Sequence, residues 1–487
     1  MAILCIDAGT TLIKSVLFDE SGKELLVASR DTFVLSLAPE LSEQDMNAVW
    51  QSVVETCKEI ISQTNLPIDA ISVTAQGDGA WMIDAKGKPI RNAVLWNDGR
   101  ASAEIDNWES EGILDKAFRI NGSLTSLGLP NAIIKWFSEN DPQTLDKAST
   151  VLTCGSWIYF KLTGLIGQHV SDASAPWIDI ADKSISKELI ELYGLTEYAT
   201  KIPPVLTNPK SPLSLQASNE IGIATKTPVV MSPYDILATA IGSGAISDGD
   251  AFVILGTTIC PGIVIESFEI NGEAAGLNLV TGEENTYLRA LPTLTGTSAL
   301  IWAMESLNYS TIEEIGHAAA SAKPGAGGVI FLPYLSGAGE RSPFLDSKAR
   351  ASLHGITNST TREDIARAVY EALAHVIREC LETTKKPIKQ LAMSGGGARS
   401  DFWCQLIADV VGVPATRTSD SQVGAKGALI YASVSIGQFS SLSEASRVLV
   451  SQSDTFVPAT DLIDFYKAQH TEFVSLRKLV QPSWSHK

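Results

Sequence analysis

The sequence predicts an α/β fold made of two halves built to one plan. A strand, the tripeptide Gly-Thr-Thr and a returning strand occur twice, at Gly9-Thr10-Thr11 and at Gly256-Thr257-Thr258. The first copy opens a pattern of three antiparallel strands, a helix and a further strand, which is how a ribonuclease-H-like domain begins. A lone carboxylate, Asp235, stands in an apolar run just ahead of the second copy. We therefore expect two ribonuclease-H-like halves that close on one phosphate-bearing ligand.

Composition limits the partners of this chain. Its 487 residues, 45% hydrophobic and 19% charged, are typical of a globular protein of roughly two to four domains. The formal net charge of -18 argues against a nucleic-acid partner, because binding phosphates over a large surface requires a basic face. Any bound anion must therefore be held locally, by backbone N–H groups or by a metal.

Cysteine spacing and hydropathy indicate the compartment. The six cysteines are far apart and form no Cys-x-x-Cys pair, so we expect reduced, buried thiols. The N-terminus lacks a basic region ahead of an apolar run, and no segment is long and charge-free enough to span a bilayer. We expect a cytoplasmic protein that does not contact a membrane.

In the first half, alternation and turn residues predict strands over residues 3–7, 12–18 and 24–29. Ser42 with Asp45 reads as the capping box of a following helix. A further strand is predicted over residues 70–74, and residues 98–200 read as mostly helical, an insertion that shapes a substrate pocket.

In the second half, Gly296 opens an apolar segment and residues 323–345 read as loop. Thr361 with Asp364 predicts the start of a long helix. A strand over residues 388–393, the triplet Gly395-Gly396-Gly397 and a helix over residues 401–411 follow. We place the main boundary near residues 244–249, which gives domains 1–245 and 246–487.

The two Gly-Thr-Thr tips are candidate phosphate-binding turns. Such a tip presents successive N–H groups and two hydroxyls to an anion, and Asp7 is close enough to order a divalent cation on the same phosphates. The alternative is a tight turn with a surface aspartate. Ile254 occupies the position in the second copy that corresponds to Asp7, so only one hairpin can supply a carboxylate to a metal.

Three further features carry candidate chemistry, each with a structural alternative. The Gly395-Gly396-Gly397 turn lets a flat ligand approach helix N–H groups, although such turns are often only geometry. Asp235 either caps the helix that follows or accepts the proton of an attacking hydroxyl. Gln76, Asp78 and Trp96 suit a hydroxyl-rich ligand, with amide and carboxylate on the hydroxyls and indole on the C–H face. A tryptophan such as Trp81 is more often core.

With these residues assembled, the chain resembles the FGGY carbohydrate kinases, within the actin, hexokinase and Hsp70 ATPase-fold superfamily. The resemblance covers nearly the whole length. It rests on the following segments: 7–11 (DAGTT), 95–100 (LWNDGR), 162–164 (LTG), 171–174 (SDAS), Asp235, 255–258 (LGTT), 333–337 (PYLSG) and 395–414 (GGGARSDFWCQLIADVVGVP).

The resemblance implies a role for each candidate residue, and it implies ATP and Mg²⁺ as cofactors. Asp235 is implied as the catalytic base of an alcohol phosphotransferase. Phosphate and magnesium contacts are implied for Asp7, Thr10, Thr11, Thr257 and Thr258, adenosine contacts for Gly396, Gly397 and Ser400, and sugar contacts for Gln76, Asp78 and Trp96.

Departures from the family pattern leave the acceptor open. Xylulokinases usually have Gln-Met-His-Gly where this chain has Gln76-Gly77-Asp78-Gly79, and Ile236 follows the base where the family usually has Asn or Gln. The expected substrate is an open-chain ketopentose (xylulose, ribulose or L-xylulose) or a small polyol such as erythritol, with ATP bound mainly by the second domain. Alternatives are an Hsp70- or actin-like nucleotide switch and a sugar-binding regulator without catalysis. A homodimer is left open.

Overall fold

The computed structural model describes residues 1–36, 38, 40–267, 270, 274–283 and 285–484. Contacts divide the chain into two compact units. Unit 1 comprises Met1–Ile246, Glu269–Tyr287 and Asp420–Val450, and unit 2 comprises Ser247–Phe268, Leu288–Ser419 and Ser451–Lys487. The sequence-based division into functional domains 1–245 and 246–487, and the cleft expected between them, stay predictions.

The strands, in chain order, are β1 (Ala2–Ala8), β2 (Leu12–Asp19), β3 (Glu24–Asp31), β4 (Glu43–Gln44), β5 (Ala70–Ala75), β6 (Trp81–Ile83), β7 (Ala93–Val94), β8 (Thr150–Leu152), β9 (Ile178–Asp179), β10 (Ser184–Ile185), β11 (Lys210–Pro212), β12 (Pro228–Met231), β13 (Asp250–Leu255), β14 (Ile259–Ile265), β15 (Leu277–Val280), β16 (Tyr287–Ala290), β17 (Ile330–Leu332), β18 (Ser352–His354), β19 (Gln390–Ser394), β20 (Ala415–Thr418) and β21 (Gln452–Phe456).

The α-helices are α1 (Met46–Ser62), α2 (Ser102–Ser110), α3 (Ile113–Asn121), α4 (Pro130–Asn140), α5 (Pro142–Lys147), α6 (Cys154–Thr163), α7 (Val170–Trp177), α8 (Lys187–Leu192), α9 (Leu215–Ile221), α10 (Asp235–Gly242), α11 (Thr297–Ser306), α12 (Ile312–Ser321), α13 (Arg362–Glu382), α14 (Asp401–Val411), α15 (Val423–Ser435), α16 (Leu442–Leu449) and α17 (Ile463–Trp484). Short 3₁₀ turns cover Thr196–Lys201, Ala326–Gly328 and Gly396–Arg399.

Unit 1 is organised around a six-stranded sheet in the order β11-β12-β5-β1-β2-β3. β1 pairs antiparallel with β2, β2 pairs antiparallel with β3, and β1 pairs parallel with β5. The predicted opening of three antiparallel strands, a helix and a further strand is therefore confirmed. The predicted helical character of residues 98–200 is also confirmed, because α2 to α8 lie there.

The start of α1 differs from the prediction. Asp45 is the N-cap, and its carboxylate accepts the N–H groups of Asn47 and Ala48. The Ser42 N–H instead donates to Asp98 at 2.7 Å. The predicted Ser42 cap is wrong because β4 pairs with β7 and keeps the chain extended up to Gln44.

The core of unit 1 lies beneath the sheet. The apolar face of α1, with Val53, Cys57 and Ile60, packs with buried residues of β1 such as Leu4 and Ile6. Spacing of three and four residues brings the α1 side chains onto one face, as the sequence predicts. All six cysteines are buried and none forms a disulfide, in agreement with the expected reduced thiols.

Unit 2 repeats the plan around β13, β14, β16, β19, β20 and β21. The strand order is β16-β14-β13-β19-β20-β21, with β13 antiparallel to β14 and parallel to β19. The capping box of Thr361 and Asp364 is confirmed at the start of α13, and α14 spans the predicted residues 401–411. The predicted loop region contains one short strand, β17.

The segment Asp420–Val450 packs within unit 1 through α15. A methyl group added at Gly427 would lie 1.8 Å from the carbonyl oxygen of Ala238, and one at Gly242 would lie 2.0 Å from that of Val423. Side chains at these two glycines would hold the helices apart. Because both residues are glycine, the backbones of α10 and α15 pack directly against each other. Among the described residues, no helix is long and apolar enough to cross a membrane.

Candidate active site

The first Gly-Thr-Thr tip is joined to the predicted sugar-binding residues by side-chain hydrogen bonds. The tip lies between Ala8 and Ile13, which face each other in the β1–β2 hairpin. The Thr10 hydroxyl donates to Gln76 Oε1 at 2.9 Å and accepts from the Trp96 indole N–H at 2.9 Å. Gln76 Nε2 in turn donates to Gln44 Oε1 at 2.9 Å. The Thr10 side chain therefore belongs to the Gln76–Trp96 network, which leaves anion contacts at this tip to backbone N–H groups and to the exposed Thr11.

Two partly buried aspartates lie in the same unit as this network. Burial raises the pKa of Asp7, and the charge of Lys14, its cross-strand partner, acts in the opposite direction. Burial raises the pKa of Asp235 to about 8, with further contributions from the charges of Asp7, Asp78 and Asp172. Burial and like charges both disfavour the ionised form, so Asp235 binds a proton more strongly than a solvated carboxylate does.

Asp235 is the first residue of α10, and Tyr234 occupies the N-cap position without a side-chain capping bond. The interpretation of Asp235 as the helix cap is therefore wrong. The aspartate reaches its position because the backbone ahead of it is held at successive residues. The Thr74 hydroxyl donates to the Pro233 carbonyl oxygen at 2.7 Å, and the Tyr234 N–H donates to Ser171 Oγ at 3.2 Å.

A buried polar chain behind Ser171 extends this support. His169 Nδ1 accepts the Ser171 backbone N–H at 3.1 Å and lies 2.8 Å from Ser171 Oγ. Because Nδ1 is an acceptor, the ring proton is on Nε2, which donates to the Tyr431 hydroxyl at 2.8 Å. Burial lowers the pKa of His169 to about 3, which keeps the ring neutral.

Asp172 forms a second branch of this chain. It accepts the Thr153 hydroxyl at 2.8 Å, and burial raises its pKa to about 6. Sequence reasoning assigned no role to His169, Ser171, Asp172 or Tyr431. The only signal was the quoted segment 171–174, since Tyr431 lies 262 residues from His169 along the chain.

The segment that follows Gln76 is conformationally restricted. Asp78 has a φ of 57°, in the left-handed region that few non-glycine residues adopt, and Gly79 follows with a φ of 75°. A methyl group at Gly77 would lie 2.4 Å from Cδ2 of the Tyr234 ring. Gly77, which precedes the predicted sugar ligand Asp78, therefore packs against Tyr234, which precedes the predicted base Asp235.

The tryptophans and charges around this segment divide into two groups. Trp96 is partly buried and hydrogen-bonded to Thr10 of the tip. Trp81 is fully buried in the core, as the sequence predicts for it. Asp98 is buried and pairs with Arg100 at 2.7 Å. Arg100 also pairs with Glu43 at 2.7 Å, so this carboxylate–guanidinium cluster is structural.

Unit 2 contains a separate pocket of about 820 Å³. Its walls include the predicted nucleotide-binding residues Thr257, Gly396, Gly397 and Ser400, together with apolar side chains such as Ile301 and Ile312. Pockets that bind small molecules commonly have volumes of about 300–1,000 Å³. Ser400 also serves as the N-cap of α14, where its Oγ accepts the Trp403 N–H.

The second Gly-Thr-Thr tip connects β13 to β14, with Leu255 facing Ile259. Its Gly256 and Thr257 line the pocket, and Thr257 is exposed while Thr258 is partly buried. The structure thus groups Asp7, Thr10, Gln76, Asp78, Trp96 and Asp235 in unit 1, and Thr257, Gly396, Gly397 and Ser400 around one pocket in unit 2.

Asp7 is suited to a magnesium ion that is bound together with nucleotide phosphates, and not to a metal site made of protein ligands alone. Among the described residues, no group of three or more His, Cys, Asp or Glu side chains could hold a metal. Mg²⁺ bound with nucleotides, however, usually takes one or two carboxylates and completes its shell with phosphates and water. The Asp7 carboxylate, whose charge burial disfavours, is the kind of ligand that such a cation would stabilise.

Comparison with known proteins gives matches over nearly the whole chain. Residues 2–242 match the model described as the N-terminal domain of the FGGY family of carbohydrate kinases, and residues 251–436 match that of its C-terminal domain. A probable L-xylulose kinase of Haemophilus influenzae is 27% identical, with 96% of each chain covered. An erythritol kinase of Brucella abortus is 26% identical, with 99% of this chain and 97% of the relative covered.

Solved structures show the same fold. The ligand-bound xylulose kinase of Lactobacillus acidophilus superposes with a TM-score of 0.94 at 22% identity, covering 100% of this chain and 99% of that one. A gluconate kinase of the same organism gives 0.94 at 23% identity, with the same coverage. The predicted two-domain α/β architecture of the ATPase-fold superfamily is confirmed.

Proposed function

The chain belongs to the FGGY family of carbohydrate kinases, and on that premise we propose that its acceptor is an open-chain ketopentose of the xylulose type or a small polyol. It is an ATP-dependent phosphotransferase with an alcohol group as acceptor, and it uses ATP with Mg²⁺ as the family does. The alternatives, a nucleotide switch and a non-catalytic sugar-binding regulator, are not favoured, because the relatives are kinases of sugars and polyols.

One observation carries the acceptor proposal: Thr10 joins Gln76 to Trp96 at hydrogen-bonding distance, within the unit that contains Asp235. Amide and carboxylate groups can bind the hydroxyls of a ketose or polyol, and an indole face can cover its C–H side. The relatives named xylulose, L-xylulose and erythritol kinases agree with an uncharged acceptor of this size. One further relative is named an L-xylulose/3-keto-L-gulonate kinase, so the assay must also include sugar acids.

We assign the catalytic base to Asp235. As the acceptor hydroxyl attacks phosphorus, a carboxylate at this position would orient the hydroxyl and take its proton late in the transfer. A raised pKa makes Asp235 a better proton acceptor than an ordinary aspartate once it is ionised. Gln76, Asp78 and Trp96 are assigned to the acceptor, so acceptor and base both belong to residues 1–245.

We assign the nucleotide to residues 246–487. Gly396 and Gly397 carry no side chains that would block a flat base or ribose, and both line the pocket with Ser400. Thr257 and Thr258 are assigned to the phosphates, with Thr11 and the backbone N–H group of Thr10 of the first tip. Asp7 would hold the magnesium ion, whose charge would neutralise the phosphate oxygens and help the leaving group depart.

A coupled assay of ADP release with a panel of pentuloses, pentitols, tetritols and sugar acids tests this proposal. We expect one ketopentose or small polyol to give the highest kcat/KM, and Asp235→Asn to lower kcat with that acceptor about a hundred- to ten-thousand-fold. ADP release that is the same with and without every acceptor would refute the proposal. So would a preference for a sugar acid, which the charge of Asp78 disfavours by repulsion.

We also propose a cytoplasmic location, which is supported by the six buried cysteines, none of which forms a disulfide. The negative net charge supports the absence of a nucleic-acid partner. A homodimer remains a prediction. Light scattering of the full chain would test it, and a monomeric mass at micromolar concentration would contradict it.

A further inference from the structure

A buried glutamate outside the proposed acceptor and nucleotide contacts lies behind the second Gly-Thr-Thr tip. Glu340 is 1% exposed, although it lies in a loop rich in glycine and serine. Its backbone pairs with Asp346 through two hydrogen bonds of 3.0 and 2.9 Å, which fix the position of the residue. A buried carboxyl group is costly unless it is hydrogen-bonded, so its partners indicate what it is for.

One partner of Glu340, Leu294, belongs to the segment 292–298, which precedes and opens α11, and the other is the neighbouring Arg341. Glu340 Oε1 accepts the Leu294 N–H at 2.6 Å and the Arg341 N–H at 2.9 Å. Arg341 Nε donates to the Pro292 carbonyl oxygen at 3.1 Å. Adjacent residues 340 and 341 therefore hold the start of this segment from one side.

The other side of the same segment holds the tip. Two backbone hydrogen bonds join the segment to the tip, from Thr297 to Gly256 at 2.9 Å and from Ser298 to Thr257 at 3.3 Å. Two more join it to Ile259, which follows the tip, from Thr293 to Ile259 at 2.9 Å and from Ile259 to Thr295 at 3.0 Å. The first two occupy the carbonyl oxygens of Gly256 and Thr257. Because carbonyl oxygens repel phosphate, tying them to N–H groups leaves anion recognition to the amide and hydroxyl donors of the tip.

The contact between segment and tip is too close to tolerate a shift. A methyl group at Gly296 would lie 2.6 Å from the Thr257 carbonyl oxygen, so the glycine backbone is packed directly on the tip. A displacement of Leu294 would therefore be transmitted to Thr257. Misplacement of a binding group by about 1 Å can cost about a hundredfold in rate.

We infer that Glu340 is a positioning residue that holds the Gly256-Thr257-Thr258 tip, through the segment 292–298, in the geometry that binds nucleotide phosphates. The inference rests on the proposed function only in taking Mg·ATP as the ligand of this tip. Glu340 itself does not touch the nucleotide. Its effect must therefore appear in nucleotide binding and not in binding of the acceptor.

Titration of the full-length protein with Mg·ADP in a calorimeter tests the inference without any acceptor. We expect Glu340→Ala to weaken Mg·ADP binding about tenfold, the effect of leaving a buried N–H group without its acceptor. Glu340→Gln keeps an oxygen for the Leu294 and Arg341 N–H groups and should bind within about twofold of the original protein. In turnover, KM for ATP should rise while KM for the acceptor stays unchanged.

Glu379 provides the matched control. It is also a buried glutamate of unit 2, but its carboxylate pairs with Arg477, and among the described residues no hydrogen bond or ion pair joins it to the segment 292–298. Glu379→Ala should lower the melting temperature and leave Mg·ADP affinity unchanged. If Glu340→Ala does not fold, Glu340→Asp, which withdraws the carboxylate by one methylene group, should weaken Mg·ADP binding in its place.

The outcomes separate this inference from the acceptor proposal. Mg·ADP affinity unchanged in Glu340→Ala or Glu340→Asp would overturn the role of Glu340, as would a Glu340→Gln variant as weak as Glu340→Ala. An enzyme that phosphorylates none of the tested ketopentoses or polyols but keeps the expected pattern of Mg·ADP affinities would overturn the acceptor proposal alone.

Discussion

Replacing Ser171 by alanine tests whether the backbone ahead of Asp235 positions the base. The Tyr234 N–H donates to Ser171 Oγ at 3.2 Å, and both residues are buried. The substitution removes that acceptor and leaves a buried backbone N–H group unsatisfied, which costs about 1–3 kcal/mol of folding free energy. It also removes one of the contacts that hold Tyr234, the residue next to Asp235.

The kinetic effect can be estimated from the same geometry. If the base shifts by a fraction of an ångström, we expect kcat to fall about ten- to a hundredfold, since each 1.4 kcal/mol of lost transition-state stabilisation is about tenfold in rate. KM for the acceptor should change little, because Gln76 and Trp96 are bound to Thr10 and not to Ser171.

Ser174 on the same helix supplies a control for lost stability. Its buried Oγ accepts the Val280 N–H at 3.0 Å, a bond of the same kind as the one that Ser171 makes. Ser174→Ala should therefore reduce the free energy of unfolding by a similar amount without lowering kcat. Ser171→Thr, which keeps a hydroxyl, should retain most of the activity.

Steady-state kinetics with the best acceptor give kcat and KM for each variant, and urea unfolding gives its free energy of unfolding. The reasoning is refuted if Ser171→Ala and Ser174→Ala have the same kcat. It is also refuted if Ser171→Ala raises the acceptor KM and leaves kcat unchanged, because the serine would then act on binding and not on the base.

Three other substitutions test the site directly. Asp235→Asn should lower kcat about a hundred- to ten-thousand-fold while acceptor-induced thermal stabilisation persists, and a near-normal rate would exclude Asp235 as the base. Asp78→Ala should raise KM for the acceptor far more than KM for ATP in paired titrations, and equal increases would place Asp78 outside the acceptor site. Gly77→Ala should lower both the melting temperature and kcat, because its methyl group would meet the Tyr234 ring at 2.4 Å, and an unchanged melting temperature would contradict that packing.

Sequence reasoning recovered the elements whose signals are local. The capping box of Thr361 and Asp364, the bounds of α14 and the hairpins around both Gly-Thr-Thr tips are each encoded within a few residues. The prediction that Ser42 caps α1 was wrong because residues 43 and 44 pair with β7, which lies far along the chain, and this pairing keeps them extended. Local patterns predict local structure until a distant strand competes for the same backbone.

The support of the site could not be predicted because it is made by distant contacts. His169 is hydrogen-bonded to Tyr431, 262 residues further along the chain, and the hydroxyl groups of Ser72 and Ser232, 160 residues apart, are hydrogen-bonded to each other. Single buried serines and histidines look, in a sequence, like ordinary surface residues. Their role becomes visible only when the fold places them against the residues that precede Asp235.

The way in which Asp235 is held bears on its chemistry. An aspartate at an N-cap position spends its oxygens on helix N–H groups, and those bonds would lower its pKa. Here the capping position belongs to Tyr234, and the preceding residues are fixed through their own atoms, Pro233 by Thr74 and Tyr234 by Ser171.

The position of Asp235 is therefore set by its backbone, and its carboxylate accepts the N–H group of Ile236, a bond that acts to lower its pKa. At the N-terminus of a helix the dipole favours the ionised form, yet the pKa is raised to about 8, so burial and the neighbouring carboxylates outweigh the dipole. A base held in this way is oriented by the backbone, and it accepts the proton of the hydroxyl in its ionised form. That is why we expect loss of the Ser171 anchor to reduce the rate of transfer and to leave acceptor binding nearly unchanged.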